Sequence, residues 1–318
     1  MPGACSRRRF LTALGSMATA SGAGRALSAS GPFRLSILTD EISQDFAHAL
    51  EVAGREFGLG FVELRELWGT NIMSLDTRQT AEARQLLHNH KLRVSAIASP
   101  LFKVDWPGAP ASRYSPRRDQ FSADFTFQQQ FELLDRALDL ARFFDTDRVR
   151  CFDFWRLDDP APYREAIDQK LREAAEKAAR RKITLVLENE YACNTATGAE
   201  AARTLNAVRS PYLKLAWDPG NAAFRGETPY PDGYALLPKD RIGHVHCKDV
   251  IRQADAFEWA AMGQGFIDFV GQFRALKQDR YHDAVTLETH WRGAGTPEAS
   301  SRKCWEAMKA QLRQAGTL

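Results

Sequence analysis

The sequence has little cysteine, no apolar run of membrane-spanning length, no glycine-rich phosphate loop, and no surplus of one charge beyond its first thirty positions. Each shortage removes a class of function. The five cysteines, Cys5, Cys151, Cys193, Cys247 and Cys304, form no C-x-x-C pair, which argues against a disulfide framework and a zinc ribbon. Cys151 and Cys247 lie in apolar runs and read as buried small hydrophobes. No segment past the opening stretch approaches the ~20 apolar residues that span a bilayer, and no G-x-G-x-x-G follows the first strand-like run, which disfavours a dinucleotide site. The formal charge of +3 belongs to the opening of the chain, because Arg7, Arg8, Arg9 and Arg25 are the only charges before position 31. Without those four, 39 basic residues face 40 acidic ones. A near-neutral body carries no electrostatic footprint for nucleic acid or an anionic membrane, so neither is an expected partner.

What is present starts with an address. Ser6-Arg7-Arg8-Arg9-Phe10-Leu11 sets paired arginines before an uncharged, weakly apolar stretch, and Ala26-Leu27-Ser28 supplies small residues suited to a peptidase. The pattern resembles a twin-arginine export signal. The expectation is a signal peptide at 1–30, a single domain at 31–318 and export to the periplasm, by a route that carries proteins already folded in the cytoplasm.

Past the leader, short apolar β-rich runs alternate with helix-period segments. Strands are expected at 34–38, 60–64, 93–98, 148–152, 184–188, 213–218, 242–246 and 283–288. Amphipathic helices are expected at 46–57, 77–90, 121–144, 161–181, 197–208, 266–277 and 297–315, with long loops at 100–118 and 221–240. Strand then helix, repeated eight times, matches an α/β fold of the single (β/α)8 TIM barrel type, ahead of an open doubly wound sheet.

Four of the late strands end on a metal-ligand type: Glu188 in L-V-L-E-N-E, Asp218 in A-W-D-P-G-N, His246 in H-V-H-C-K-D and Glu288 in T-L-E-T-H. Each separation is about one strand–helix unit, so neighbouring barrel strands bring all four to one mouth. Strand alternation puts Thr184 and Val186 below Glu188, and Ala284 and Thr286 below Glu288, so small or apolar residues are expected to fill the barrel beneath. His244, two residues deeper on the face of His246, reads as a packed or supporting residue. Three carboxylates and one imidazole are a hard, oxygen-rich donor set, which favours one divalent ion, Mn2+ first, with Mg2+ or Co2+ as alternatives. The set suits a neutral polyol or keto sugar better than a phosphate, unless Lys103, Arg65, Arg156 and Lys248 compensate the charge. Glu41, Glu63, Arg65, Lys103, Asp153, Trp155, Glu190, Lys248 and His290 follow strand ends and are the candidates for binding substrate hydroxyls. Phe102, Trp106, Phe152 and Trp155 are candidates for an apolar wall.

The motifs V-E-L-R at 62–65, A-S-P-L-F-K at 98–103, V-R-C-F-D-F at 149–154, L-E-N at 187–189, W-D-P-G-N at 217–221, V-H-C-K-D at 245–249, G-Q-G-F-I-D at 263–268 and L-E-T-H at 287–290, in this order, resemble the xylose isomerase-like sugar isomerase/epimerase superfamily from about position 34 onward. The resemblance implies that Glu188 and Glu288 both ligate the metal and transfer protons, that Asp218 and His246 complete the shell, and that a small sugar or keto sugar is enolised through a metal-stabilised enediolate. It departs from tagatose-type epimerases, where a histidine commonly follows the metal aspartate and an arginine the metal histidine; here Pro219-Gly220-Asn221 and Lys248-Asp249 stand in those places. Three further readings stay open: a lyase or dehydratase on an oxidised sugar, glycoside or inosose; a non-catalytic carbohydrate-binding barrel; and a trinuclear-metal nuclease, for which only His244, His246 and His290 are well placed. Assembly as a homo-oligomer is also left open.

Overall fold

The computed structural model describes residues 31–115, 123–254 and 256–318; the expected leader at 1–30 and the first two positions of the helix expected at 121–144 lie outside the described residues. Eight strands form one parallel sheet: β1 (Arg34–Ile37), β2 (Phe61–Leu64), β3 (Arg93–Leu101), β4 (Arg148–Cys151), β5 (Thr184–Glu188), β6 (Leu213–Trp217), β7 (Ile242–Cys247) and β8 (Ala284–Leu287). Their spatial order is β1-β8-β7-β6-β5-β4-β3-β2, and a parallel bridge between Leu38 and Glu63 joins β1 to β2. The sheet is therefore a nearly closed (β/α)8 barrel, as the alternation predicts.

Each strand is buried on both faces, because one lines the barrel and the other meets a ring of helices. The helices are α1 (Phe46–Glu51), α2 (Thr77–Asn89), α3 (Gln130–Phe143), α4 (Arg164–Arg180), α5 (Gly198–Ala207), the short α6 (Pro219–Ala223), α7 (Phe269–Gln278) and α8 (Pro297–Gln314). In α4, Ile167, Leu171, Ala174, Ala175 and Ala178 are buried, a stripe at helical spacing. Burying its leucine and isoleucine contributes roughly 1.5–3 kcal/mol each. None of the helices among the described residues is long and apolar enough to cross a membrane.

Two differences from expectation bear on the site. The helix expected from 121 begins only at Gln130, because Phe127 leaves the helical path to pack its ring 5.6 Å from Trp106 and 5.8 Å from Phe154, while the Gln129 side chain accepts the Thr126 N–H. Between β7 and α7 the chain adds a hairpin, Asp249–Gln253 paired antiparallel with Ala256–Ala260, that helix-or-loop reasoning passes over.

The barrel interior is more polar than expected. Thr184, Val186 and Thr286 are buried as foreseen, but Ser36 and Ser95 share a hydrogen bond of 2.9 Å. Arg150 is buried beneath Glu188 and donates to the Ala98 carbonyl. The signal for Arg150 was available: in R-V-R-C the period of two places both arginines on the face opposite Val149 and Cys151.

Candidate active site and metal centre

The site is assembled by strand ends. β5 ends on Glu188 and is tied to β6 through Asn189, whose amide donates to the Asp218 carbonyl at 2.8 Å and whose carbonyl oxygen accepts the Asp218 N–H at 2.7 Å. Asp218 then caps α6: its Oδ1 accepts the Asn221 N–H at 2.9 Å, with Pro219 at the first helical position. That leaves Oδ2 facing the mouth. Glycine is required at position 220, since a Cβ there would stand 2.6 Å from Lys248 Cγ and 2.7 Å from the Lys248 carbonyl oxygen.

Glu188, Asp218, His246 and Glu288 are all buried, and one ligand atom from each falls within 4.8 Å of the others. His246 Nδ1 lies 3.3 Å from Glu288 Oε2, 3.5 Å from Glu188 Oε1 and 3.9 Å from Asp218 Oδ2, and it has no hydrogen-bond partner. Donors around a six-coordinate ion with bonds of about 2.1 Å stand roughly 3–4 Å apart, so the spacing and the chemistry of the set fit a divalent cation. The four expected ligands are thus brought together.

Three buried cations press on the same carboxylates. Arg150 Nη1 is 3.1 Å from Glu188 Oε2, Lys248 Nζ is 2.8 Å from Asp218 Oδ2 and 2.7 Å from Glu288 Oε2, and Arg65 Nη1 is 2.7 Å from Glu288 Oε1. Burial by itself would raise the Glu188 pKa, but Arg150 and His246 bring it down to about 2. Glu288 is likewise held well below the carboxylate range, with Lys248, His290 and His246 outweighing burial. Asp218 goes the other way, pushed up to about 7 by burial and by the Glu188 and Glu288 charges against Lys248. His246 and Lys248 are raised well above their ordinary values: burial disfavours their charge, and the surrounding carboxylates more than offset it.

The other expected residues divide into groups. Lys248, Arg65, Glu41 and His290 stand at the cluster: Arg65 also binds Asp40 at 2.8 Å and Glu41 at 2.7 Å, and Glu41 meets His290 Nδ1 at 3.2 Å as well as Arg292. Lys103 and Glu190 pair at 3.6 Å, with the lysine ammonium 4.8 Å from the Phe152 ring and 5.4 Å from the Trp155 ring. Of the expected apolar wall, Phe152 and Trp155 take this position, whereas Phe102 and Trp106 pack on Phe154. Glu63 turns to His244 and His246. Asp153 is not brought to the four ligands: it accepts the Thr195 N–H at 2.8 Å and hydroxyl at 2.6 Å and lies 3.4 Å from Arg164.

Residues that sequence reasoning missed are Arg150, Asp40, Arg292 and Trp259. Trp259 comes from the unforeseen hairpin, 4.9 Å edge-on to His290, 5.2 Å from the Lys248 ammonium and 4.1 Å from Phe224. Only the hydrophobic alternation of the hairpin hinted at it.

The Asp153 carboxyl is pushed up to about 6, mainly by burial, with Arg164 and Thr195 pulling the other way. A carboxyl whose folded pKa exceeds its unfolded value binds more protons when folded, so its contribution to stability falls as pH rises from about 4 to about 6. Replacing Asp153 by asparagine should remove this slope, worth about 2–3 kcal/mol between roughly pH 4 and 7. Urea unfolding of both proteins across that range checks it, and parallel pH profiles would defeat it.

Comparison with known proteins agrees with the fold. A family described as "Xylose isomerase-like TIM barrel" matches residues 52–311. L-ribulose-5-phosphate 3-epimerase UlaE of Shigella sonnei (strain Ss046) is 28% identical over 152 residues, 46% of this chain; the match spans only about half, 51%, of that relative's length. A xylose isomerase-like TIM barrel protein from Mycobacterium smegmatis, solved in complex with magnesium, superposes with a TM-score of 0.65 at 18% identity over 90% of this chain and 97% of that one. D-allulose 3-epimerase from Methylomonas sp., in complex with D-allulose, gives 0.64 at 18% identity over 89% and 98%. At such identity the two structures speak for the fold alone. With the family match covering most of its length, the chain belongs to the xylose isomerase-like TIM barrel family.

Proposed function

We propose that the protein is a divalent-metal-dependent sugar isomerase or epimerase that moves a proton next to a carbonyl group. The observation that carries this reading is the placement of two buried carboxylates, Glu188 at the end of β5 and Glu288 just past β8, on either side of His246 within one ligand-sized cluster. Glu188, Asp218, His246 and Glu288 would hold the ion. Mn2+ suits this hard set best, with Mg2+ and Co2+ as alternatives. When bound, the ion supplies fixed positive charge against which negative charge on a substrate oxygen can build.

The chain's own groups do the rest. One glutamate removes the carbon-bound proton, and the enediolate that results is reprotonated by the other glutamate to give an epimer, or on the neighbouring carbon to give an isomer. Arg150 and Arg65 hold the two glutamates in place, and both stay ionised, poised to accept. Lys248 Nζ, between Asp218 and Glu288, is placed to donate to the substrate oxygen that gains charge. Trp155 and Trp259 would offer apolar ring faces to sugar C–H groups.

Charge pairing argues for a neutral substrate. Asp40, Glu41, Glu188, Asp218 and Glu288 face Arg65, Arg150, Lys248 and Arg292, and Glu63 faces His244 and His246, so with both imidazoles neutral a dication brings the set to neutrality. The bases considered for phosphate are all engaged: Arg65 and Lys248 as above, Lys103 by Glu190 and Arg156 by Glu200. None of these four bases is left over for a dianion. The expected result is turnover of neutral ketoses at least tenfold more efficient, in kcat/KM, than of the corresponding 5-phosphates, abolished by chelation and restored best by Mn2+. Incubation of both substrate classes in deuterated water, read by mass and NMR, tests it. Label gained at unchanged composition supports the reading; loss of water or an aglycone would convert it to a lyase, and binding with no exchange to a carbohydrate-binding barrel. The leader pattern extends the proposal to a periplasmic site of action.

A further inference from the structure

Glu63 was expected to bind substrate, but its surroundings give it other work. It is 1% exposed, and its Oε2 lies 2.9 Å from His244 Nε2 and 3.0 Å from His246 Nε2. The two rings stand 5.1 Å apart and nearly perpendicular, so a single carboxylate oxygen receives both. His244 Nε2 is also 2.9 Å from the Thr286 hydroxyl, so the same nitrogen meets both groups.

A carboxylate only accepts hydrogen bonds, so the proton on His246 must be on Nε2 for the contact to exist. With Nε2–H kept by Glu63, Nδ1 is the nitrogen left to give up its proton and offer a lone pair when a cation enters the cluster. Nδ1 is the atom that lies 3.3–3.9 Å from Glu288, Glu188 and Asp218 and that has no hydrogen-bond partner.

We infer that Glu63 is a positioning residue, which by accepting the Nε2–H groups of His246 and His244 fixes the ring orientation and tautomer that present His246 Nδ1 to a divalent cation. This rests on the metal-site reading above. His244 is the lateral support: it holds the Glu63 carboxylate against His246 without being one of the four proposed ligands. Such outer partners orient an imidazole and raise its basicity, and their loss costs about 10–100-fold in metal affinity.

The experiment is a Mn2+ titration of the full chain, stripped of metal and read by water-proton relaxation, with wild type, Glu63→Gln and Glu63→Leu compared. Gln keeps an accepting oxygen and loses the charge; Leu loses both. The expected order is a dissociation constant raised about tenfold in Glu63→Gln and about 100-fold in Glu63→Leu. Equal affinity in all three would overturn the inference, even if the variants melt at lower temperature, because a merely structural role predicts lost stability at unchanged affinity. If the leucine variant does not fold, imidazole 15N spectra of the Mg2+-loaded wild type decide alone. A proton on His246 Nε2 and none on Nδ1 supports the inference, and the reverse overturns it. Wild type that binds no ion at all removes the metal-site reading itself, a result distinct from wild type and Glu63 variants that bind equally well.

Discussion

Glutamine at position 288 is expected to stop epimerisation while leaving proton exchange alive from one side of the substrate only. If Glu188 and Glu288 each serve one face, Glu288→Gln still lets Glu188 take a proton from the epimer that presents it and return a solvent-derived one. That epimer should gain deuterium without inverting, whereas the other epimer should neither exchange nor invert. Glu188→Gln should show the mirror result. The interconversion rate should fall by about 10²–10⁴-fold in both, the range for loss of a positioned acid or base. Both glutamates are also proposed ligands, so the assay is run at saturating Mn2+ with occupancy measured alongside. Loss of exchange from both epimers in each variant, at full occupancy, would replace the two-base scheme by one in which a single group handles the proton.

The second large effect is structural. Arg65 is 1% exposed and its three guanidinium nitrogens are divided among Asp40, Glu41 and Glu288. Glu41 and Glu288 have other cations to turn to, His290 and Arg292 for the first and Lys248 and His246 for the second. Among the described residues Asp40 has none: its Oδ2 contacts Arg65 and its Oδ1 has no partner. Arg65→Met should therefore strand a buried carboxylate and cost about 3–5 kcal/mol. Asp40 is already pushed up to about 6, by burial above all, with Arg65 opposing. Without the arginine its folded pKa rises further, and a raised carboxyl loses stability as pH climbs towards that value. The deficit of Arg65→Met should thus widen from about pH 5 to pH 8 and shrink when Asp40→Asn is added. Denaturant unfolding of the four proteins in this cycle measures it. A pH-independent deficit, or no recovery in the double variant, would show that the loss comes from packing.

The fold was legible because its signals are local. Strands announce themselves by runs of four to six apolar residues and helices by stripes such as that of α4, and neither needs a long-range partner. The four ligand candidates were legible for a related reason: each ends a strand, and one strand–helix unit separates it from the next. The start of α3 and the hairpin after β7 were not legible, since Phe127 left the helical path for partners at 106 and 154, and Trp259 has meaning only beside His290 and Lys248.

The sequence by itself determined the order of strands and helices, the neutral charge of the body past residue 30, and the donor types that close β5 to β8. Tertiary structure decided which carboxylate does what. Glu63 and Glu288 look alike along the chain, each a glutamate near a strand end, yet one is turned to two histidines and the other to the ligand cluster. Their difference is set across the barrel, by groups some 180 to 220 residues away. A charge buried at a distance from water takes its role from whichever counter-charges closure of the ring brings within hydrogen-bond reach, and no pattern of neighbours along the chain carries that information.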